Sequence, residues 1–543
     1  MKNLFLVFLL ILGVSKCWAA SACPDPANNA GYVRAGATGT GTGTDWTNAY
    51  TTLPTSLVRG CTYYVAAGTY RPQVFNDAAS GTTLITIQAP TTTNHGTSTG
   101  WSSGYVGEAI WSCTSACGPI WNVQNEEYIV FNGAYCTTNP YYTNICTQGT
   151  AGFRLECNGY CGGGNVGNGC TACGDIMGGQ GYTSSPTTSH DQTFEYIEVD
   201  GNHQTSDSGL ADAAFDFEGG SYNLYFGHLY LQYSTWDFFL RGNHEGQSGF
   251  GSGDDITIEY NFMYWDYTAT GSSGPHGTPC SCSEGLTNFA FRYNVISDMV
   301  GTNMGPDTAS GGDYNSGNGY GGPWYIYGNL WYCDTASHCP VGDGLLSVYD
   351  FSMTNGDVWL VNNTSAQEGY PYTGTNSDEV TYGIGIGYKT PMAGWYEENN
   401  LWYGSDLSST DGSDIINKGL TSGGTQGGGA TWTKATVHGY DAFFNSPNTA
   451  ANDNDSNKQV SSADPFVSVS SNNFTLASDT TAGLTLSNVG TYWNGTAEVA
   501  NTFNMDMNGN TRGANGVWDR GALQISGSNP PPPAPTNLTA TVH

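Results

Sequence analysis

Five stretches of the chain share one pattern: ITIEYNFMY, FAFRYNVIS, WYIYGNLWY, VWLVNNTSA and WYEENNLWY. Each sets an asparagine inside a run of strand formers. Asn261, Asn294, Asn329, Asn363 and Asn400 are separated by 33, 35, 34 and 37 residues. A period of this size marks a repeat architecture. Five and three residues before the asparagine lie Ile256/Ile258, Phe289/Phe291, Trp324/Ile326 and Val358/Leu360, alternating with Thr257/Glu259, Ala290/Arg292, Tyr325/Tyr327 and Trp359/Val361. That is the period-2 pattern of a strand with one buried face. Asp255, Asn288 and Asp357, six residues before the asparagine, are turn formers that open each strand.

Weaker copies precede these in TFEYIEVDG and NLYFGHLYL, and the copy ending at Asn400 is imperfect because Glu397 takes an inward position. A second, shorter set of alternating segments lies between: FRLECNG, AFDFEGG, DFFLRGN, GLLSVYD and GIGIGYK. Two strand types in alternation, with no helical pattern between them, predict an all-β solenoid of stacked coils, each burying a face against its neighbours. The 76 glycines and 35 tyrosines suit strands and turns. In such a stack an asparagine at a fixed corner lies about 4.8 Å from the next, close enough for their amides to hydrogen-bond along the stack. Asparagine also tolerates the left-handed backbone that a sharp corner needs. These asparagines therefore read as scaffold.

The alternating strands and asparagine corner resemble the right-handed parallel β-helix of pectate-lyase-like proteins. RGCTYYVAAGTYRPQ followed by TTLITIQAP resembles the first coil of secreted members, and DPF, NNFTLASD, MDMNGNTRG and WDRGAL resemble their closing coil. The resemblance spans residues 27 to 525 and is specific for fold; the fold hosts lyases, hydrolases, esterases, adhesins and tailspikes.

The opening MKNLFLVFLLILGVSKCWAASAC reads as a secretory signal peptide over residues 1–22, cleaved after Ala19 or Ala22. Ala20-Ser21-Ala22 makes a poor lipobox before Cys23. The β-helix then occupies 23–525 and a Pro-rich tail 526–543. No later apolar run is long enough to span a bilayer. With Cys17 lost, fourteen of the 15 cysteines remain. Close pairs (Cys113/Cys117, Cys136/Cys146, Cys157/Cys161, Cys170/Cys173 and Cys333/Cys339) read as loop-clipping disulfides of an exported protein, with zinc on Cys157, Cys161, Cys170 and Cys173 as the alternative. The expected location is secreted, extracellular or at the cell surface, and the expected state a monomer. A net charge of −32 argues against nucleic acid, anionic membrane or a strongly anionic polymer as partner.

The resemblance implies a substrate groove along the outer face of the shorter strand set. Alternation turns Arg154, Glu156, Asp216, Glu218, Phe239, Arg241, Ser347 and Tyr349 outward, with Lys389 at the end of the last segment and His276 and Glu284 in SGPHGTPCSCSEGL. Asp216, Glu218 and Glu156 are candidate carboxylates for glycoside hydrolysis, which needs one acid and one base or nucleophile. Arg241 with Asp216 and Glu218 suits a lyase, in which Arg or Ca²⁺ meets a uronate carboxylate. His276 completes the catalytic set; Arg154, Phe239, Glu284, Tyr349 and Lys389 are candidate substrate-binding residues. The bland alternative makes these side chains solvated charges and ladder pairs.

Gly-Asp-Asp at 253–255, His276-Gly277 and Asp237 resemble scattered polygalacturonase motifs. The pattern is broken, however: Thr235-Trp236-Asp237 stands for Asn-Thr-Asp, Pro275-His276-Gly277 for Gly-His-Gly, and no Arg-Ile-Lys follows. Glu259 and Arg292 read as an exposed ion pair on adjacent coils. NDNDSN and DMNGN have Ca²⁺-like oxygen spacing without the full loop, and read as turns. The leading expectation is a polysaccharide-binding and polysaccharide-cleaving β-helix, hydrolase or lyase, with Ca²⁺ as an optional cofactor. The alternative is a non-catalytic adhesin or envelope protein.

Overall fold

The computed structural model describes residues 22–113, 119–123, 126–157, 176–177, 189–201, 211–217, 221–241, 254–264, 278–283, 286–298, 322–333, 346–348, 357–367, 384–386, 394–404, 436–447, 450 and 455–526. Nearly all of its regular structure is strand. Two 12-stranded sheets and one 6-stranded sheet are parallel throughout, and successive strands of each sheet come from successive turns of the chain. The first sheet runs from Ala30–Val33 to Thr436–Gly439, the second from Gly68–Tyr70 to Gln459–Ser461, and the third from Gln73–Val74 to Thr278–Ser283. Leu346–Val348 and Ile384–Ile386 form a separate parallel pair. Three sheets wound from one chain in this order make a right-handed parallel β-helix.

Each asparagine-bearing stretch is two strands. Asp254–Glu259 belongs to the first sheet and Phe262–Tyr264 to the second, with Asn261 at the corner between them. Registers are strict: Ile258 lies beside Phe291, Phe291 beside Ile326, and Ile326 beside Leu360. All four point inward and are buried. Aromatic rings pile in the same way: Phe131, Phe194 and Phe226 stack at centroid spacings of 5.1 and 5.4 Å.

The corner asparagines form one file. Nδ2 of Asn261, Asn294, Asn329 and Asn363 donates to Oδ1 of the next asparagine at 3.1, 3.1, 3.1 and 3.2 Å. The same Oδ1 accepts the backbone N–H of the preceding rung, and each Nδ2 also reaches a carbonyl of the coil before, as Asn329 does to Phe291 at 2.8 Å. The file begins at the Leu229 N–H, which donates to Asn261, and ends where the Asn400 N–H donates to Asp441.

One expectation is corrected: the left-handed residue is the one before the asparagine. Tyr260, Tyr293, Gly328, Asn362 and Asn399 have φ of 57, 57, 67, 54 and 62°. The asparagine has to aim its amide along the stack, so its neighbour turns the chain. Those neighbours stack outside the corner: Tyr196 on His228, His228 on Tyr260, and Tyr260 on Tyr293, at 4.7, 5.2 and 5.2 Å.

The turn formers at the strand openings behave as expected. Asp255 and Asn288 have φ of 55 and 48°, and the Asn288 amide donates to the Asp255 carboxylate. A second correction concerns FRLECNG. Phe153–Cys157 pairs with Ile197–Asp200 in the second sheet, whereas Ala211–Phe217 and Ser234–Arg241 lie in the third. Alternation alone gives both sheets the same signature.

From residue 464 onward the chain leaves the parallel pattern. Antiparallel pairs Phe466–Ser468 with Asn473–Leu476, and Thr491–Trp493 with Glu498–Ala500, pack against the coils. This segment covers Glu259 and Arg292. They are an ion pair, as read from the sequence, but a buried one, 5% and 6% exposed. Arg292 lies 3.4 Å under the Tyr492 ring and donates to Tyr327 at 2.7 Å, while Tyr225 donates to Glu259 at 2.5 Å. DMNGN is a turn: Asp506 accepts the N–H groups of Asn508, Asn510 and Gln524.

Cys136 and Cys146 are bridged as expected, and Cys23 pairs with Cys61, closing the first coil instead of carrying a lipid. Cys280 pairs with Cys282, and Cys333 is also disulfide-bonded. Cys117, Cys161, Cys170, Cys173 and Cys339 lie outside the described residues, as do the signal peptide to residue 21, NDN at 452 to 454 and the tail from 527. Among the described residues no helix is long and apolar enough to cross a membrane.

Candidate active site

The third sheet brings Asp216, Asp237, Trp236 and Phe239 close together. In Ser234–Arg241, Phe238 and Leu240 are fully buried, Asp237 is buried, and Trp236 and Phe239 are half-buried. Asp216 lies on the neighbouring strand in register with Phe239, which makes it the diagonal neighbour of Asp237. By strand spacing their α-carbons are about 8 Å apart. The Trp236 and Phe239 rings, 4.9 Å apart, form an aromatic pair at the same place. An aromatic surface next to carboxyl groups is what a sugar ring requires, since its apolar faces stack while its oxygens accept or donate protons.

Asp237 is the unusual member. It is 1% exposed, and neither carboxylate oxygen has a hydrogen-bond partner. Burial pushes its carboxyl well above the ordinary aspartate range. A buried, unpartnered carboxylate would cost several kcal/mol, so burial favours the neutral form of the group. The sequence displayed Asp237 only within the broken polygalacturonase pattern. Its burial was not legible in the sequence. The polygalacturonase reading itself fails on topology, because Asp254 and Asp255 lie on the first sheet and Asp237 on the third.

The other expected site residues divide. Arg241 ends its strand in register with Ser283, and its side chain is outside the description. Glu218, His276, Glu284, Tyr349 and Lys389 lie outside the described residues. Arg154 and Glu156 stand on the second sheet, away from Asp216 and Phe239. There Arg154 gathers three carboxylates: Asp200 at 2.7 Å, Glu156 at 3.6 Å and Glu198 at 3.7 Å. Glu198 is fully buried, and burial pushes it up to about 7 although the Gly149 N–H and Arg154 pull the other way. Its oxygens accept from Gly149 and Gln232. Most of this second cluster is paired, as in a structural ladder of charges, although Arg154 Nε is buried without a hydrogen-bond partner.

No protein-family model matches the chain, and no curated protein matches it. Solved structures similar to it include pectate lyase Pel9A, at 11% identity over 92% of this chain and 99% of that one, with a TM-score of 0.31. The PL6 family alginate lyase AlyGC is 12% identical over 74% of this chain and 50% of that one, with a TM-score of 0.34. The Agl-KA catalytic domain is 10% identical over 74% and 60%, with a TM-score of 0.23. The strand registers and the asparagine file define the fold.

Proposed function

We propose that the protein is an extracellular β-helix that binds and hydrolyses a neutral or weakly charged polysaccharide along the outer face of its third sheet. The observation that carries this reading is Asp237, a fully buried and unpartnered carboxyl beside Asp216 and an aromatic pair. In the proposed reaction Asp237 gives its proton to the glycosidic oxygen as the bond to the anomeric carbon breaks. Asp216 takes a proton from the water that attacks that carbon. The net charge of −32 disfavours a polyuronate substrate. Disulfides such as Cys23–Cys61 and Cys136–Cys146 support an oxidising, extracellular setting.

The test is incubation of the full chain with a panel of polysaccharides, with Ca²⁺ or with a chelator, reading reducing ends and the absorbance of unsaturated uronates. Reducing ends alone support the hydrolase. Unsaturated products would move the assignment to a lyase. Binding without either product would make the protein an adhesin.

A further inference from the structure

The inward column formed by Ile258, Phe291, Ile326 and Leu360 changes character in its last two coils. Glu397 lies in register beside Leu360, and His438 beside Glu397. At the corner of that last coil the asparagine file ends in a carboxylate, Asp441. Three departures from an otherwise apolar and amide repeat therefore meet at one point. The ligand-type atoms of Glu397, His438 and Asp441 all lie within 4.8 Å of one another.

Glu397 is fully buried, and neither of its oxygens makes a hydrogen bond. The Nδ1 of His438 lies 3.3 Å from its Oε2. That spacing equals the edge of a tetrahedron whose metal–ligand bonds are about 2.0–2.1 Å. Asp441 is already oriented: its carboxylate accepts the Asn400 N–H at 2.8 Å and the Trp402 indole N–H at 3.3 Å. Such outer hydrogen bonds are what fix a ligating carboxylate. The nearby guanidinium of Arg520 donates to the backbone carbonyl of Asp441.

We infer that Glu397, His438 and Asp441 form a site for a divalent transition metal inside the last coils, with zinc as the best match to one imidazole and two carboxylates. A metal-bound His438 would be neutral, and the two carboxylates beside it would then carry two negative charges for one divalent ion to balance. The role is structural, since the site faces the interior and not the third-sheet groove. It does not depend on the hydrolase reading.

The full chain, purified without chelator, is assayed for bound metal by mass spectrometry; it is then stripped with chelator and titrated with Zn²⁺ alone. About one equivalent per chain is expected, with a rise of about 2–5 °C in thermal midpoint at hundred-fold excess over Kd. Co²⁺ in place of Zn²⁺ should give visible d–d absorption. Glu397→Gln and His438→Ala should each lose the bound equivalent and the thermal response. A natural chain that holds no metal and shows no midpoint change with Zn²⁺ or Co²⁺ overturns the proposal and leaves a buried Glu397–His438 ion pair. Retention of the equivalent in both variants overturns it as well, and that arm needs only that they fold.

Discussion

The side-chain oxygen of Asn329 accepts both the backbone and the side-chain amide of Asn294, at 2.9 and 3.1 Å. Asn329→Ala removes the acceptor of both, leaving the Asn294 amide only its bond to the Ile258 carbonyl, and takes one donor from the Phe291 carbonyl. Because all of these groups are buried, the expected loss is about 2–4 kcal/mol. A chemical-denaturation curve measures it, and a loss below the error of the curve would remove the file's energetic role.

Gly328 occupies the left-handed corner position at φ 67°, where an added Cβ would sit 2.5 Å from the Tyr293 ring. Gly328→Ala is expected to cost about 1–3 kcal/mol. Asn445→Gly, at an exposed residue with φ 50°, serves as the control and should be neutral or slightly stabilising. Thermal midpoints of the two variants should move in different directions, or one should not move at all.

Burial pushes Glu195 up to about 7, and the Glu259 carboxylate adds to the rise. The folded state thus binds a proton more tightly than the unfolded chain does. The resulting stabilisation is complete below about pH 4.5 and is lost as the pH rises towards 7. Glu195→Gln should flatten this slope and, at pH 8, be more stable than the natural chain by about 2 kcal/mol or less. Denaturation midpoints at pH 5, 6, 7 and 8 decide the matter; an unchanged slope counts against it.

The Cys23–Cys61 bridge closes a segment with a sequence separation of 38 at the start of the coil. Replacing both cysteines with alanine should lower stability by about 2–4 kcal/mol through the freed unfolded chain. Protection of Thr62–Val65 amides from hydrogen exchange should fall first, because that strand borders the bridge.

For the proposed hydrolase, Asp237→Asn keeps the side chain's shape but removes the acid. Turnover should fall by about 10²–10⁴-fold with the denaturation midpoint retained. Because burial raises the carboxyl's pKa, the natural enzyme should stay active on the alkaline side of ordinary aspartate titration. The variant should lose that limb of its pH–rate profile. Asp216→Asn should remove the acidic limb instead.

The coil was legible because one-sided burial writes period 2 into the strands, and the corner writes asparagine at a fixed interval. Ile256, Ile258 and Asn261 carried both signals. The division into three sheets was not legible: Phe153–Cys157 and Ala211–Phe217 alternate alike, and only hydrogen-bond register separates them. Burial of outward residues was equally hidden. Glu259 and Arg292 look solvated until residues 491–500, more than 190 positions away, lie across them. Asp237 reads in the sequence like any other strand aspartate, and only its surroundings set it apart. Glu397 was visible as a fault in the pattern, but its meaning needed His438 and Asp441 from the next coil.

The asparagine file has a direction: every rung hands its proton the same way, from Leu229 towards Asp441. Each seam between coils is therefore chemically interchangeable, and a duplicated or excised coil would meet matching lips on either side. Length in this molecule is a variable that evolution can change in whole units, whereas the final rung must only receive. That asymmetry fits a carboxylate in place of an amide where the coil stops.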